Sequence, residues 1–197
     1  MSLQLICVII IASMITCIQM IDTQCTQSSP RSAADARVRL HAPHTEDAAE
    51  VWRLVQMAPP LEVNTPYAYL LLCTHFAQTS VVARNGRTLR GFIGGYRIQE
   101  RPDTLYIWQI AVHPLDRRKG LGDMMLAALI SRHGLSDVRF IEASVTPSNF
   151  SSNRFFLRFA QRRGFAVERR ALFTADHFPE GNHEPEQLIR IGPLHVE

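Results

Sequence analysis

The stretch Leu105 to Leu126, LYIWQIAVHPLDRRKGLGDMML, constrains this chain more than any other. An apolar, β-branched run passes through a proline and a basic, glycine-spaced turn into a second apolar run with helical spacing, which reads as strand, loop and helix start. Within it Arg117, Gly120 and Gly122 form R-x-x-G-x-G. Glycines at these positions remove side chains where a ligand approaches the backbone, and the first N–H groups of the helix point along its dipole toward an anion. Arg118 and Lys119 add positive charge beside them. The junction predicts a phosphate-binding turn, against the plainer reading of a surface turn with solvated basic residues. Dinucleotide binding and a nucleotide P-loop both fit poorly, because the G-x-G-x-x-G spacing and the G-K-[ST] ending are missing.

A chain of 197 residues is long enough for one good core and short for two. Its 46% hydrophobic and 20% charged residues mark a soluble globular domain. A net charge of +3 suits an anionic cofactor better than nucleic acid, which calls for a basic stripe with interleaved aromatics. The four cysteines contain no C-x-x-C pair and the eight histidines no H-x-x-x-H or H-E-x-x-H, so neither a disulfide framework nor a metal site is predicted. Cys73, inside the apolar run Tyr67 to Ala77, reads as a packed thiol rather than an acyl-carrying nucleophile.

Leu5 to Ile21 imitates a signal sequence or a marginal membrane helix, but Ser13, Thr16 and Gln19 interrupt it and the first basic residue is Arg31. Residues 1–36 are therefore expected to be an extension outside the fold, and 37–197 a single domain. Along that domain the pattern predicts a strand at Ala36 to Leu40, then a helix opened by Thr45 as cap and stopped by Pro59-Pro60. A short apolar helix follows at Tyr67 to Ala77. Strands at Thr79 to Ala83 and Leu89 to Ile98 join across Asn85-Gly86. Gly91, Gly94 and Gly95 suggest a bulge or a close backbone neighbour. Next come a strand at Thr104 to Val112, a helix at Leu121 to Ser131, a strand at Val138 to Val145 and a helix ending at Arg163 before Gly164. Strands beginning at Phe165 and spanning Gln187 to Ile191 complete a mixed α/β order with an antiparallel front half.

Strand, then [QR]-x-x-G-x-[GA], then helix resembles the acetyl-CoA pyrophosphate loop of the GNAT acetyltransferases. Four segments together, PPLEVNTPYAYLLLCTHFAQTSVVA (59–83), ERPDTLYIWQIAVHP (100–114), SVTPSN (144–149) and GNHEPEQLIRIGP (181–193), resemble the L-2,4-diaminobutyrate acetyltransferases of ectoine synthesis. The likeness covers about Arg37 to Pro193. It implies a GNAT fold: a mixed, mostly antiparallel sheet of six to seven strands with a V-shaped splay and helices on both faces. It implies acetyl-CoA as co-substrate, with its pyrophosphate on Arg117, Arg118, Lys119, Gly120, Leu121 and Gly122 and its pantetheine arm along the backbone of Ile110, Ala111 and Val112. Asn149 and Ser152 fit the family's N-x-x-[AS] pattern, where the Asn reaches the cofactor arm. The tyrosine that usually protonates the departing thiolate falls on Phe156, which has no proton to give.

Acetyl transfer to an amine needs a held donor, a deprotonated amine, a stabilised oxyanion and a proton for the thiolate. Diaminobutyrate, a dication with one carboxylate, calls for acids, an aromatic face and a polar cap. The resemblance places an acidic substrate ligand at Glu62, otherwise a solvated loop acid. Tyr67 and Trp108 are candidates for the pocket wall or for core. His183 in G-N-H-E-P-E is a candidate carboxylate ligand or proton relay. Glu142 is the candidate general base, against the reading of an outward-facing strand residue. With no activated nucleophile in view, direct attack in a ternary complex is expected. A GNAT enzyme for another small amine or a protein N-terminus is the nearest rival. A non-catalytic acyl-CoA sensor, supported by Phe156 alone, is the other. The expected setting is cytoplasmic, without nucleic acid or membrane, and a homodimer is compatible with it because many relatives pair through exposed strands.

Overall fold

The computed structural model describes residues 38–179 and 183–194. The expectation for residues 1–36 lies outside them, as do the first two residues of the predicted Ala36 strand. The described elements, in order, are β1 (Arg39–His41), α1 (Ala48–Gln56), α2 (Pro66–Thr74), β2 (Val81–Asn85), β3 (Thr88–Ile98), β4 (Arg101–Val112), α3 (Leu121–Ile130), β5 (Phe140–Val145), α4 (Phe150–Arg163), β6 (Val167–Phe173) and β7 (Glu186–Ile191). They follow the order expected from the sequence. The strands form one seven-stranded sheet in the order β1-β2-β3-β4-β5-β7-β6. Every neighbouring pair is antiparallel except β4 and β5, which α3 connects as a crossover.

Alternation along β2 and β3 separates two cores. Val81, Ala83 and Ile93 pack with Met125, Leu126 and Leu129 of α3 and Phe159 of α4. Val82 and Phe92 pack with Val51 and Leu54 of α1 and Tyr69 and Leu72 of α2. Helices therefore cover both faces of the sheet. Cys73 lies in the second core at 1% exposure, where burial first and the charge of Asp47 second push its thiol up to about 12. It stays protonated and inert.

Local chemistry accounts for most helix ends. Thr65 accepts from the N–H of Ala68 to open α2, and Gly164 closes α4 in the left-handed region at φ 69°. The first helix differs from expectation, because Thr45 is not its cap. A 3-10 turn at Thr45–Asp47 precedes α1, and the N–H of His44 donates to Asp47 Oδ2 at 2.7 Å. Asp47 is buried and also paired with Arg84, so the turn is tied to β2 as well as capped. The strand β4 begins at Arg101 rather than Thr104, since the polar Arg-Pro-Asp segment lacks the apolar alternation that marks the rest.

Two irregularities in β4 shape the site. Gly94 pairs with Gln109 and Gly95 with Ile107, so Trp108 is an extra residue, a β-bulge. Gly95 is required there: a Cβ would stand 2.6 Å from the carbonyl oxygen of Tyr106. The bulge switches the faces of the strand. Leu105 and Ile107 belong to the core under α3 and α4, whereas Ala111 belongs to the core under α1 and α2. The second irregularity is the splay. Parallel pairing of β4 with β5 runs only from Thr104↔Phe140 to Tyr106↔Glu142, although β4 continues to Val112 and β5 to Val145. Beyond that point the facing backbone edges are open to an extended ligand.

Candidate active site

The glycine turn and the splay meet in a cleft of about 720 Å³. Ile110, Val112, Arg117, Arg118, Gly120, Leu121, Gly122, Asn149 and Ser152 all line it. Two expected cofactor residues do not. Ala111 points into the core beneath α1 and α2, fully buried, because the bulge put it on the far face; only its backbone remains available. Lys119 is off the cleft wall, two-thirds exposed, with its ammonium 3.7 Å from Asp116.

The turn itself is coiled by two left-handed residues, Arg118 at φ 64° and Gly120 at φ 83°, the backbone pattern from which anion-binding nests of N–H groups are made. Gly120 is the cap residue of α3, and the helix's first N–H groups beyond it have no intrahelical acceptors. Gly122 has a further reason to be glycine. A Cβ there would come within 3.0 Å of the Phe155 ring, so the absent side chain also lets α3 meet α4. Arg117 does more than add charge: its guanidinium donates to the carbonyls of Val112 at 3.3 Å and Met57 at 2.8 Å, fastening the α1–α2 loop to the end of β4.

Asn149 caps α4, its Oδ1 accepting from the N–H of Ser152 at 3.0 Å. That leaves its amide N–H₂ free to donate across the cleft. Phe156 is 3% exposed and packed in the core, while Phe150 and Phe155 are the phenylalanines on the cleft wall. The missing hydroxyl at 156 thus takes no group away from the cleft, and the sensor reading loses its support.

A second cluster lies where the α1–α2 loop meets the loop between β6 and β7. Glu62 Oε1 is 3.2 Å from His183 Nε2, and Glu186 Oε1 is 3.9 Å from the same nitrogen. The imidazole stacks on Phe178 with ring centroids 3.9 Å apart. Burial pushes the Glu186 carboxyl above the usual carboxylate range, against the pull of the Ser144 hydroxyl and of His183. Its Oε2 is buried without a hydrogen-bond partner among the described residues. Ser144 also accepts from Tyr106 at 2.8 Å. The cluster is tied to the cleft through its neighbours: Leu61, next to Glu62, lines the cleft, and Glu184, next to His183, accepts at 3.1 Å from the N–H of Ser148, the residue before the cleft-lining Asn149. Among the described residues, no group of three or more His, Cys, Asp or Glu is arranged to hold a metal ion.

Of the expected acceptor residues, the structure joins Glu62 and His183. Trp108 stands at the bulge, 43% exposed, beside Gln109, which reaches the Glu62 loop. Tyr67 is 67% exposed and makes no hydrogen bond or ring contact among the described residues, so it is not brought to the pair. Glu142 is a correction. It is 1% exposed and clamped by two arginines, Arg101 at 2.5 and 2.8 Å and Arg190 on the same carboxylate. Burial would raise its pKa, but hydrogen bonds from Arg101 and then Arg190 outweigh it and hold the carboxyl below its ordinary range. A carboxylate so held is a poor proton acceptor at neutral pH and is already fully paired.

Two further residues belong to the site, each with only a faint signal in the sequence. Glu186 is the acid three positions after His183, and its signal was the E-P-E of the same loop. Gln109 is 5% exposed, a polar break in the apolar IWQIAV. Its amide donates to the Glu62 carbonyl at 2.7 Å and its carbonyl accepts from Tyr69 at 3.2 Å, so it holds the acidic loop against the sheet. Gln109→Leu removes both bonds at once, and should raise the acceptor's KM about tenfold with the donor's KM unchanged, read by steady-state kinetics.

Comparison with known proteins gives a uniform picture. Residues 48–165 match the Acetyltransferase (GNAT) family. The chain is 41% identical over 165 residues to an L-2,4-diaminobutyric acid acetyltransferase from Streptomyces coelicolor, covering 83% of this chain and 97% of that protein. It is 39% identical over 168 residues to one from Halalkalibacterium halodurans, covering 85% and 88%. Among solved structures it resembles the diaminobutyrate acetyltransferase of Paenibacillus lautus, determined with L-2,4-diaminobutyric acid and coenzyme A. That match has 35% identity, a TM-score of 0.78 and coverage of 83% of this chain and 99% of that one.

Proposed function

The chain belongs to the L-2,4-diaminobutyric acid acetyltransferases of the GNAT family, and we infer from this that it transfers the acetyl group of acetyl-CoA to the 4-amino group of L-2,4-diaminobutyrate. The product, N4-acetyl-L-2,4-diaminobutyrate, is the precursor for ectoine. The observation that carries the reading is the adjacency of an anion-binding turn at the mouth of a sheet splay to an acidic, histidine-bearing cluster fit for a small diamine.

In this reading the diphosphate of acetyl-CoA rests on the backbone from Arg117 to Gly122, and the pantetheine arm extends along the open edge of β4 at Ile110 and Val112. Asn149 steadies that arm from the other wall. Glu62 and Glu186 attract the ammonium groups, and Trp108 offers a face to one of them. Glu186, poorly solvated, takes a proton from the 4-ammonium group. The free amine attacks the thioester carbonyl, the C–N bond forms, and a backbone N–H at the splay stabilises the oxyanion. Collapse of the tetrahedral intermediate breaks the C–S bond. Since α4 presents phenylalanine at both 155 and 156, the thiolate's proton comes from water or from the intermediate's own ammonium. The need for acetyl-CoA supports a cytoplasmic setting. No helix among the described residues is long and apolar enough to cross a membrane.

The test is thiol release from acetyl-CoA with diaminobutyrate, with a polyamine and an aminoglycoside as competing acceptors and the product's acetyl position read by NMR. Turnover confined to another amine would overturn the assignment. Glu62→Ala should raise the acceptor KM about tenfold and leave the acetyl-CoA KM in place. Unchanged kinetics would remove Glu62 from the site.

A further inference from the structure

One wall of the cleft carries a feature that the acetyl-transfer chemistry does not use. Arg154, Arg158 and Arg162 are spaced four apart on α4 and all line the cleft. That spacing puts them on one face of the helix, about 6 Å apart per step. Most cleft-side charges elsewhere are matched. Asp123 is paired with Arg163 at 2.9 Å and lies 3.8 Å from Arg162, and Asp116 faces Arg90 and Lys119. Arg154 and Arg158 have no hydrogen bond or ion pair among the described residues, although both border the same cavity. Both are exposed, so solvent screens most of their mutual repulsion, and both guanidinium groups are left open to an anion entering the cleft.

The direction of the cofactor supplies that anion. Coenzyme A has a diphosphate at its middle, a thiol arm at one end and a ribose 3′-phosphate at the other. On the reading above, the diphosphate sits at Gly120 to Gly122 and the arm runs inward past Ile110 and Asn149. The nucleotide must then leave outward, and on that side the wall is the length of α4 beyond Ser152, where the arginines stand. Gly122 touching Phe155 keeps this part of α4 within reach of the turn.

We propose that Arg154 and Arg158, continued by Arg162, form a phosphomonoester site that grips the ribose 3′-phosphate of the donor. A phosphomonoester carries a charge of about −2 near neutral pH, and the planar guanidinium fork meets its oxygens in pairs. The site therefore selects the phosphorylated donor over an otherwise identical one that lacks this group. Arg118, whose backbone is already committed to the turn, flanks it from the loop side.

This proposal rests on the acetyl-CoA reading, and the experiment separates the two. kcat/KM is measured with acetyl-CoA and with 3′-dephospho-acetyl-CoA, in the wild type and in R154Q/R158Q. The wild type should prefer acetyl-CoA by about tenfold or more, and in the double variant that preference should fall to near one. The ratio is internal to each protein, so partial misfolding of a variant cancels from it. A wild type indifferent to the 3′-phosphate, or a double variant that loses equally on both donors, overturns the arginine site and leaves the acetyltransferase reading standing. A wild type that uses neither donor overturns both.

Discussion

Glu186→Gln should lower kcat by about a thousandfold without loss of fold or of acetyl-CoA binding, the size expected when a positioned general base is removed. The amide keeps the shape of the carboxyl and can still accept from Ser144, but it cannot take the proton. The pH profile gives the sharper reading. Burial raises the Glu186 pKa, and only its carboxylate is competent, so kcat/KM of the wild type should climb as pH rises through a value above the usual carboxylate range. In the variant that acidic limb should disappear. The same shift has a sign for stability: the folded protein holds this proton more tightly than the unfolded chain. The contribution of Glu186 is therefore fully present below the ordinary carboxylate pKa and declines as pH rises through the folded value. A loss below tenfold, with the limb retained, would pass the role of base to another group.

The strand, turn and helix around Arg117 were legible because each carries a local signature: period two, glycine spacing, then period near 3.6. The helix end at Gly164 was legible for the same reason, whereas the cap at Thr65 lay inside what reads as a loop. Pairing across long separations was not. Arg101 and Arg190 lie 41 and 48 residues from Glu142, and nothing within a window around Glu142 announces either. An acid on a strand beside the splay looks like a base until its partners are seen. The bulge at Trp108 hid another piece. Alternation from Leu105 onward carries Ala111 to the wrong face, and only the register against Gly94 and Gly95 reveals the extra residue. Gly95 did point to a close backbone neighbour, but which strand supplied it depended on the pairing. Gly122 serves two causes, of which only the open approach to the backbone has a local signature, since the Phe155 contact belongs to the packing of α3 on α4. The Glu62–His183 meeting spans the whole domain; resemblance suggested Glu62 and imidazole chemistry suggested His183, and the sheet order explains how they come together.

Glu142→Gln should destabilise the protein by about 3 kcal/mol at neutral pH, measured by chemical denaturation, while most of kcat and the acidic limb survive. The figure is at the low end for breaking a buried pair because Arg101 is 41% exposed and can rehydrate when its partner is lost. Arg190 cannot do so as easily: it is 21% exposed and stacked 3.7 Å over the Phe140 ring, so its charge is left facing a neutral amide. The pH dependence has the opposite sign to that of Glu186. Despite its burial, Glu142 is held below the ordinary carboxylate range by the two arginines, so its stabilisation is complete above the unfolded carboxylate pKa. It is lost as pH falls through the lower folded value. The gap between wild type and Glu142→Gln should therefore be constant near neutrality and close as the solution becomes acid. The clamp joins β4, β5 and β7 where the β4–β5 pairing ends, so its loss loosens the base of the splay. A variant that kept wild-type stability but lost kcat with its acidic limb would return Glu142 to the chemistry and take Glu186 out of it.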